Sequence, residues 1–435
     1  MAQVVVRSED TVGEQMAGPA IRAWEFATRL ASRHSVTLIV PQAASIATDA
    51  FEVAAEGGPV ADAAMARADV VIAQQVNPAV MARARRARFV LDAYDPIPLE
   101  IIEHWRAADD RSPESTWPYW MSVEHLLFAF RNADAFLCAS DNQRDLWTGV
   151  LLASGRLDPA RYDDDPDLTR TVAVVPFGRP DEEPARTTTG PRSQFGLSPD
   201  DLVMLWGGGI WPWLDALTPM RAVQEAAARG VPVRLVFMGT KRPNDALSGM
   251  DMGSATRAAA QDLGLLDTHV FFNEGWVPYQ DRASFLLDAD VGVSAHFEHL
   301  ETRFAFRTRM LDYLWAGLPT IATSGDWFAD VVTRSGAGIA VPPNDASAFA
   351  SAIVELHDPD RRASMSSRAV ETGEQFTWEK VTAPLLDLVD DLASRGPRTS
   401  SAAVAGAALQ ARIALRAERA LGVRSLVQKV KNKVL

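Results

Sequence analysis

Short apolar runs alternate along this chain with stretches in which apolar residues recur at helical spacing, the rhythm of strands and helices in an α/β protein. VVVRS reads as a first strand, the glycine-containing segment from Thr11 to Pro19 leads into the helical pattern AIRAWEFATRLASR, and VTLIVP follows as a second strand. That opening is a Rossmann-like βαβ unit. Gly13 and Gly18 stand too far apart for the GxGxxG of a dinucleotide site, so a nicotinamide cofactor loses its main support. Strand-like runs return at 69–75, 88–96 and 135–140, and TVAVVP supplies one more.

Residues 179–199 interrupt this rhythm with Pro, Gly, Thr and charge, the composition of a linker. The cycle then restarts with LVMLWGGGI, the helical TPMRAVQEAAARG, the strand VRLVFMG, a helix around 253–264, the strand HVFFNEG and the helix YQDRASFLLDA. The predicted layout is an N-terminal Rossmann-like domain over 1–178 and a second one over 200–375. A helix over 376–395 and a tail over 396–435 complete it.

Parallel strands present ligand-binding residues at their carboxyl ends. In the first half Gln74, Asp92, Tyr94, Asp95 and Ser140 fall there, with Asn142, Gln143 and Arg144 opening the next helix; for each, a cap or turn role competes with ligand contact. In the second half the chain is organised around Val291–Thr323, VGVSAHFEHLETRFAFRTRMLDYLWAGLPTIAT. A strand breaks there into a loop with Glu298, Glu301, Arg303 and Arg307, followed by a helical segment to Gly317 and a strand from Pro319 to Ala322. Helix N-termini and guanidinium forks suit phosphate, and carboxylates suit sugar hydroxyls. A sugar diphosphate needs both. The competing reading is a solvated salt-bridge cluster with Asp312 on an exposed helix face.

This stretch resembles the donor-site segment of the GT-B glycosyltransferases, specifically the retaining family 4 enzymes. Their pattern runs serine, a glutamate, seven residues, a second acidic residue, small residues, Gly and Pro. Asp312, five before Gly317, matches the second acidic residue, which in the family holds the ribose. Strict spacing puts the first glutamate at Phe304, so Glu301 across a three-residue insertion is the expected sugar-hydroxyl ligand and catalytic-site carboxylate. The triple glycine Gly207, Gly208 and Gly209 matches the family's phosphate loop, where missing side chains let backbone N–H groups crowd an anion. The arginine and lysine that usually follow are replaced by IWPWLD, so Lys241, Arg303 and Arg307 are expected on the diphosphate, with Trp211 and Trp213 divided between sugar stacking and packing. Trp276 and Val277, in NEGWVP, match the loop that receives the nucleotide base. Gly18 matches a loop near the donor phosphates, and Asp92 is the foremost candidate for acceptor contact and catalysis. The family's histidine near the reacting sugar has no counterpart, since His104 and His125 fall in helical stretches.

The resemblance implies two Rossmann-like domains facing across a cleft and sugar transfer from a nucleotide diphosphate sugar to a glycan or lipid-linked acceptor hydroxyl, with retention. The leaving phosphate would take the acceptor proton. No metal and no cofactor beyond the nucleotide sugar co-substrate are implied. Two rivals stay open: an epimerase or pseudo-glycosyltransferase of the same fold, and a non-catalytic scaffold that binds sugar or membrane.

Composition narrows the setting. At 435 residues, 47% apolar and 23% charged, the chain can build two cores. The single cysteine, Cys138, excludes a disulfide framework. The N-terminal apolar run is too short for a signal peptide and no apolar stretch is long enough to span a bilayer, so a cytoplasmic location is expected. The net charge of -13 disfavours a nucleic-acid partner. The tail reverses that sign: from Ser400 to Leu435 seven basic residues face one acid, Glu418, with Ile413, Leu415, Leu421 and Val423 among the apolar positions between them. A basic amphipathic helix over 402–435 fits an anionic membrane surface, which would make the protein peripheral on the inner membrane face. It fits equally the acidic body of this chain or a second copy.

Overall fold

The computed structural model describes residues 1–42, 44–239, 252–398 and 402–421. Lys241 therefore lies outside the described residues, as does the tail beyond Leu421. The first sheet contains β1 (Gln3–Arg7), β2 (Ser35–Val40), β3 (Glu52–Ala55), β4 (Val70–Ala73), β5 (Arg88–Asp92), β6 (Ala135–Cys138) and β7 (Val172–Val174). The second contains β8 (Leu202–Trp206), β9 (Val233–Phe237), β10 (Val270–Phe272), β11 (Val291–Ser294), β12 (Thr320–Thr323) and β13 (Gly338–Val341). Their orders are β3-β2-β1-β4-β5-β6-β7 and β10-β9-β8-β11-β12-β13. All the pairings are parallel, for example Val5 opposite Thr37 and Val71, and Leu205 opposite Val236.

Sheets covered on both faces need strands that are apolar throughout rather than alternating. VVIA, AFLC and LVMLW are buried at every position. Polar residues then set the helix ends. The Asp326 carboxylate accepts the N–H of Ala329 at the start of Trp327–Ser335, and Gly336 ends that helix at φ 75°, a backbone that L side chains resist.

The chain divides into two compact units, one of residues 1–9, 23–175 and 383–435, the other of 10–22 and 176–382. The segment 10–22, expected in the N-terminal domain, groups with the second unit. Within that unit Tyr279 donates its N–H to the Glu14 carbonyl at 3.1 Å, and the buried Arg22 donates to the Pro176 carbonyl at 3.0 Å. The helix Ala383–Ser394 belongs to the first unit, where it buries Leu385, Leu388, Val389 and Leu392 and offers Asp387 and Asp390 to Arg33.

One local expectation is corrected: the loop expected to hold Glu301 and Arg303 contains a short helix, Leu300–Phe304, kept separate from the expected helix, Arg309–Trp315, because Ala305 is extended (ψ 147°) and Phe306 is buried against Phe328. The acidic run over 163–167 begins inside the short helix Pro159–Asp164. Its Asp165 is buried and accepts the N–H groups of Arg170 and Thr171.

The tail helix, Ala402–Leu421, docks on its own unit. Leu409 enters the core with Ile413 beside it, and Arg412 and Arg416 both donate to the buried Glu124 carboxylate, at 3.3 and 2.9 Å. Of the occupants expected for this tail, the body of the chain covers the face that carries these residues.

Candidate active site

In an open parallel sheet the ligand crevice forms where the strand order reverses. In the second unit that point lies between β8 and β11. The two strands pair only at Val291 with Met204 and Gly292 with Leu205, and their carboxyl ends are held apart by Tyr313. This fully buried phenol accepts the N–H of Gly207 at 2.7 Å, and its own hydroxyl hydrogen is shared between the carbonyls of Val293 at 2.8 Å and Leu205 at 3.0 Å. Burial pushes its pKa up to about 12, so it stays a neutral donor and acceptor. Tyr313 is a positioning residue that sequence reasoning missed; an aromatic on an amphipathic helix reads as core.

The glycine loop leaves β8 above this wedge. Gly208 sits at φ 75° with open space where a Cβ would be. The Gly209 carbonyl accepts from Arg309 Nη2 at 2.8 Å and more weakly from Trp206 Nε1 at 3.4 Å. Trp276, after β10, lies against the same loop, 3.7 Å from where a Cβ on Gly209 would be and 3.3 Å from one on Gly239; Val277 beside it is buried. Asn273 ties the strand ends together by donating to the Met238 carbonyl at 2.9 Å. The expected loop residues Gly207 to Gly209 and Trp276 are thus brought together. Trp211 and Trp213 stack on each other at 5.1 Å and 9°.

Asp312 stands one residue before Tyr313, with a side chain 28% exposed and one oxygen 3.0 Å from Arg282 Nε. Arg282 is itself fixed, stacked 3.7 Å from the Tyr279 ring and donating to the Tyr279 carbonyl. A carboxylate oriented this way suits bidentate hydroxyl recognition.

Glu301 and Arg307, also among the expected site residues, lie together. Glu301 is 1% exposed and takes both guanidinium nitrogens of Arg307, at 2.9 and 2.7 Å. The carboxylate expected on sugar hydroxyls and the guanidinium expected on diphosphate therefore meet each other. The reason is the extended Ala305, which folds residue 307 back over 301. Besides capping its helix, Asp326 lies 4.0 Å from Arg307 Nε and 3.5 Å from His296 Nε2, so the pair sits in a buried polar and charged group. Arg303 is exposed over the Phe304 ring.

In the first unit Asp92 ends β5, buried and opposite Leu137. Gln143 accepts the Ala139 N–H at 2.7 Å and donates to the Tyr94 carbonyl at 2.6 Å, while Ser140 caps its helix. These two polar strand-end residues hold the loops in place. Gln74 and Asp95 are half-buried after β4 and β5. Gly18 opens the helix Gly18–Leu30 from within the 10–22 segment of the second unit.

Residues 203–358 match the family model described as "Glycosyl transferases group 1". A D-inositol 3-phosphate glycosyltransferase of Saccharomonospora viridis is 28% identical over 257 residues, 57% of this chain and 54% of that protein. Another from Thermobispora bispora is 27% identical over 212 residues, 48% of this chain and 47% of its own length. The chain thus spans about half the length of these relatives. Among solved structures, sucrose-phosphate synthase from Thermosynechococcus elongatus superposes with a TM-score of 0.62 at 16% identity, over 90% of this chain and 99% of that one. Anabaena HepE in complex with UDP and glucose gives 0.61 at 15%, over 90% and 100%. The fold is that of the GT-B enzymes, and residues 203–358 are similar to the glycosyl transferases group 1 family.

Proposed function

We propose that this protein is a glycosyltransferase that moves a sugar from a nucleotide diphosphate sugar to an acceptor hydroxyl with retention. The observation that carries the reading is the glycine loop braced at the switch point of the second sheet by the same short helix that presents Asp312. The family match covers that loop and helix, and relatives of this fold are seen with UDP and with UDP-glucose. Asp312 would hold the ribose, Trp276 and Val277 the base, and the loop N–H groups the charge that develops on the leaving diphosphate. The acceptor oxygen would bond to the anomeric carbon as the carbon–oxygen bond to phosphate breaks, and the departing phosphate would take the acceptor proton. Neither step asks for a divalent ion. The acceptor would be a glycan or a lipid-linked sugar. Among the described residues no helix is long and apolar enough to cross a membrane.

A ligand stabilises only the state it binds. A thermal-shift panel of UDP, GDP, dTDP and their sugar conjugates is therefore expected to raise the melting temperature with one nucleotide family, and Asp312→Ala to abolish the rise. No rise with any of them would replace this reading by a non-catalytic scaffold. For the acceptor side, Asp92→Ala is expected to lower the transfer rate by about a hundredfold while nucleotide affinity is unchanged. Equal loss of both in a folded variant would remove Asp92 from the acceptor site.

A further inference from the structure

Arg309 is a half-buried cation whose Nη1 is shut off from solvent, and among the described residues it has no ion-pair partner. Asp326 acts on it through space without a hydrogen bond. Its guanidinium carbon lies 4.8 Å from the Trp206 ring centre, Nη2 is fixed on the Gly209 carbonyl, and Nη1 is out of reach of solvent with no partner. Burial lowers its pKa to about 10, which leaves it charged at neutral pH. A charge in this state is costly unless something compensates it, and unsatisfied buried donors call for an explanation. The arginines beside it in sequence only add like charge; of these Arg307 is already closed on Glu301 and Arg303 is exposed over Phe304. Beside it lies a glycine loop with open space at Gly208.

We infer that Arg309 grips the diphosphate of the donor: Nη2 stays on Gly209, and Nη1, covered until the glycine loop shifts, donates to a phosphate oxygen. It would thus supply from the helix after β11 the cation that IWPWLD leaves out after the glycine loop. The inference rests on the nucleotide-sugar reading and goes beyond it by naming the residue that distinguishes diphosphate from monophosphate. Stacking on Trp206 and the bond to Gly209 hold the guanidinium in place before the ligand arrives, so little side-chain entropy is lost on binding.

The test is calorimetric titration of the full chain with UDP against UMP, GDP against GMP and dTDP against dTMP. Wild type is expected to prefer the diphosphate. In Arg309→Gln that preference is expected to vanish, diphosphate affinity falling about tenfold to a hundredfold, as for loss of a hydrogen bond to a charged group, with monophosphate affinity unchanged. Arg309→Lys, which keeps the charge without the planar fork, is expected to fall between and guards against a folding defect in the glutamine variant. Equal loss of monophosphate and diphosphate in both variants would make Arg309 a brace of the Gly209 carbonyl only. A preference that persists in Arg309→Gln, or is missing from wild type, would overturn the inference while leaving the donor site standing. Wild type that binds no nucleotide would sink the donor reading itself.

Discussion

Gly292→Ala is expected to destabilise the protein by about 3 kcal/mol or more, at the upper end of what overpacking a core costs. A Cβ on Gly292 would lie 2.5 Å from Tyr313 Cγ and 2.6 Å from its Cδ2, closer than carbon atoms approach. Neither side can yield cheaply. The strand is paired on both flanks, Gly292 opposite Leu205 and opposite Thr320. The ring is held by the Gly207 N–H at one end and its helix at the other. The clash would therefore be relieved by moving the phenol, and with it the glycine loop. Thermal unfolding of Gly292→Ala in wild-type and Tyr313→Ala backgrounds checks the argument: in the second background the ring is gone and the alanine is expected to cost little. An equal cost in both would mean that the wedge is not what requires glycine at 292.

This wedge marks how far the sequence could be read. The strands of both sheets were legible because parallel strands buried on two faces are written as unbroken apolar runs, and LVMLW and AFLC are such runs. The strand Glu52–Ala55 was not, since it is a short edge strand with an exposed glutamate and only Ala54 buried. The glycine loop was legible because a backbone at φ 75° favours glycine, and Asp312 stood out only by its spacing from Gly317. What failed was partnership. Glu301 and Arg307 are six apart, a spacing that places them on different faces of a continuous helix, and only the extended Ala305 brings them together. Arg309 is one of several arginines between 303 and 309, with no spacing to single it out; burial and the Gly209 carbonyl do that. Tyr313 and Gly292 are 21 positions apart, and nothing along the chain signals that one makes room for the other.

The Glu301–Arg307 pair gives the second large effect, and it separates a structural role from the role the family resemblance assigns. Removing one member of a buried pair leaves the other charge without compensation, so Arg307→Leu is expected to lose about 3–5 kcal/mol of stability. Glu301→Leu is expected to lose as much, because it leaves Arg307 with Asp326 at 4.0 Å as its remaining carboxylate. The double variant with leucine at both positions removes both charges and is expected to recover part of that loss, since an apolar pair can replace a buried ion pair at small net cost. Recovery stays partial because Asp326, with His296 at 3.5 Å, then faces the new leucines. Nucleotide affinity of the folded fraction, titrated below the melting transition, should be unchanged in all three if the pair serves the scaffold. A pair that served the donor would behave otherwise: Arg307→Leu would melt with the wild type and bind the nucleotide sugar weakly. That outcome would return Glu301 to the sugar hydroxyls and require it to part from Arg307 when the donor binds.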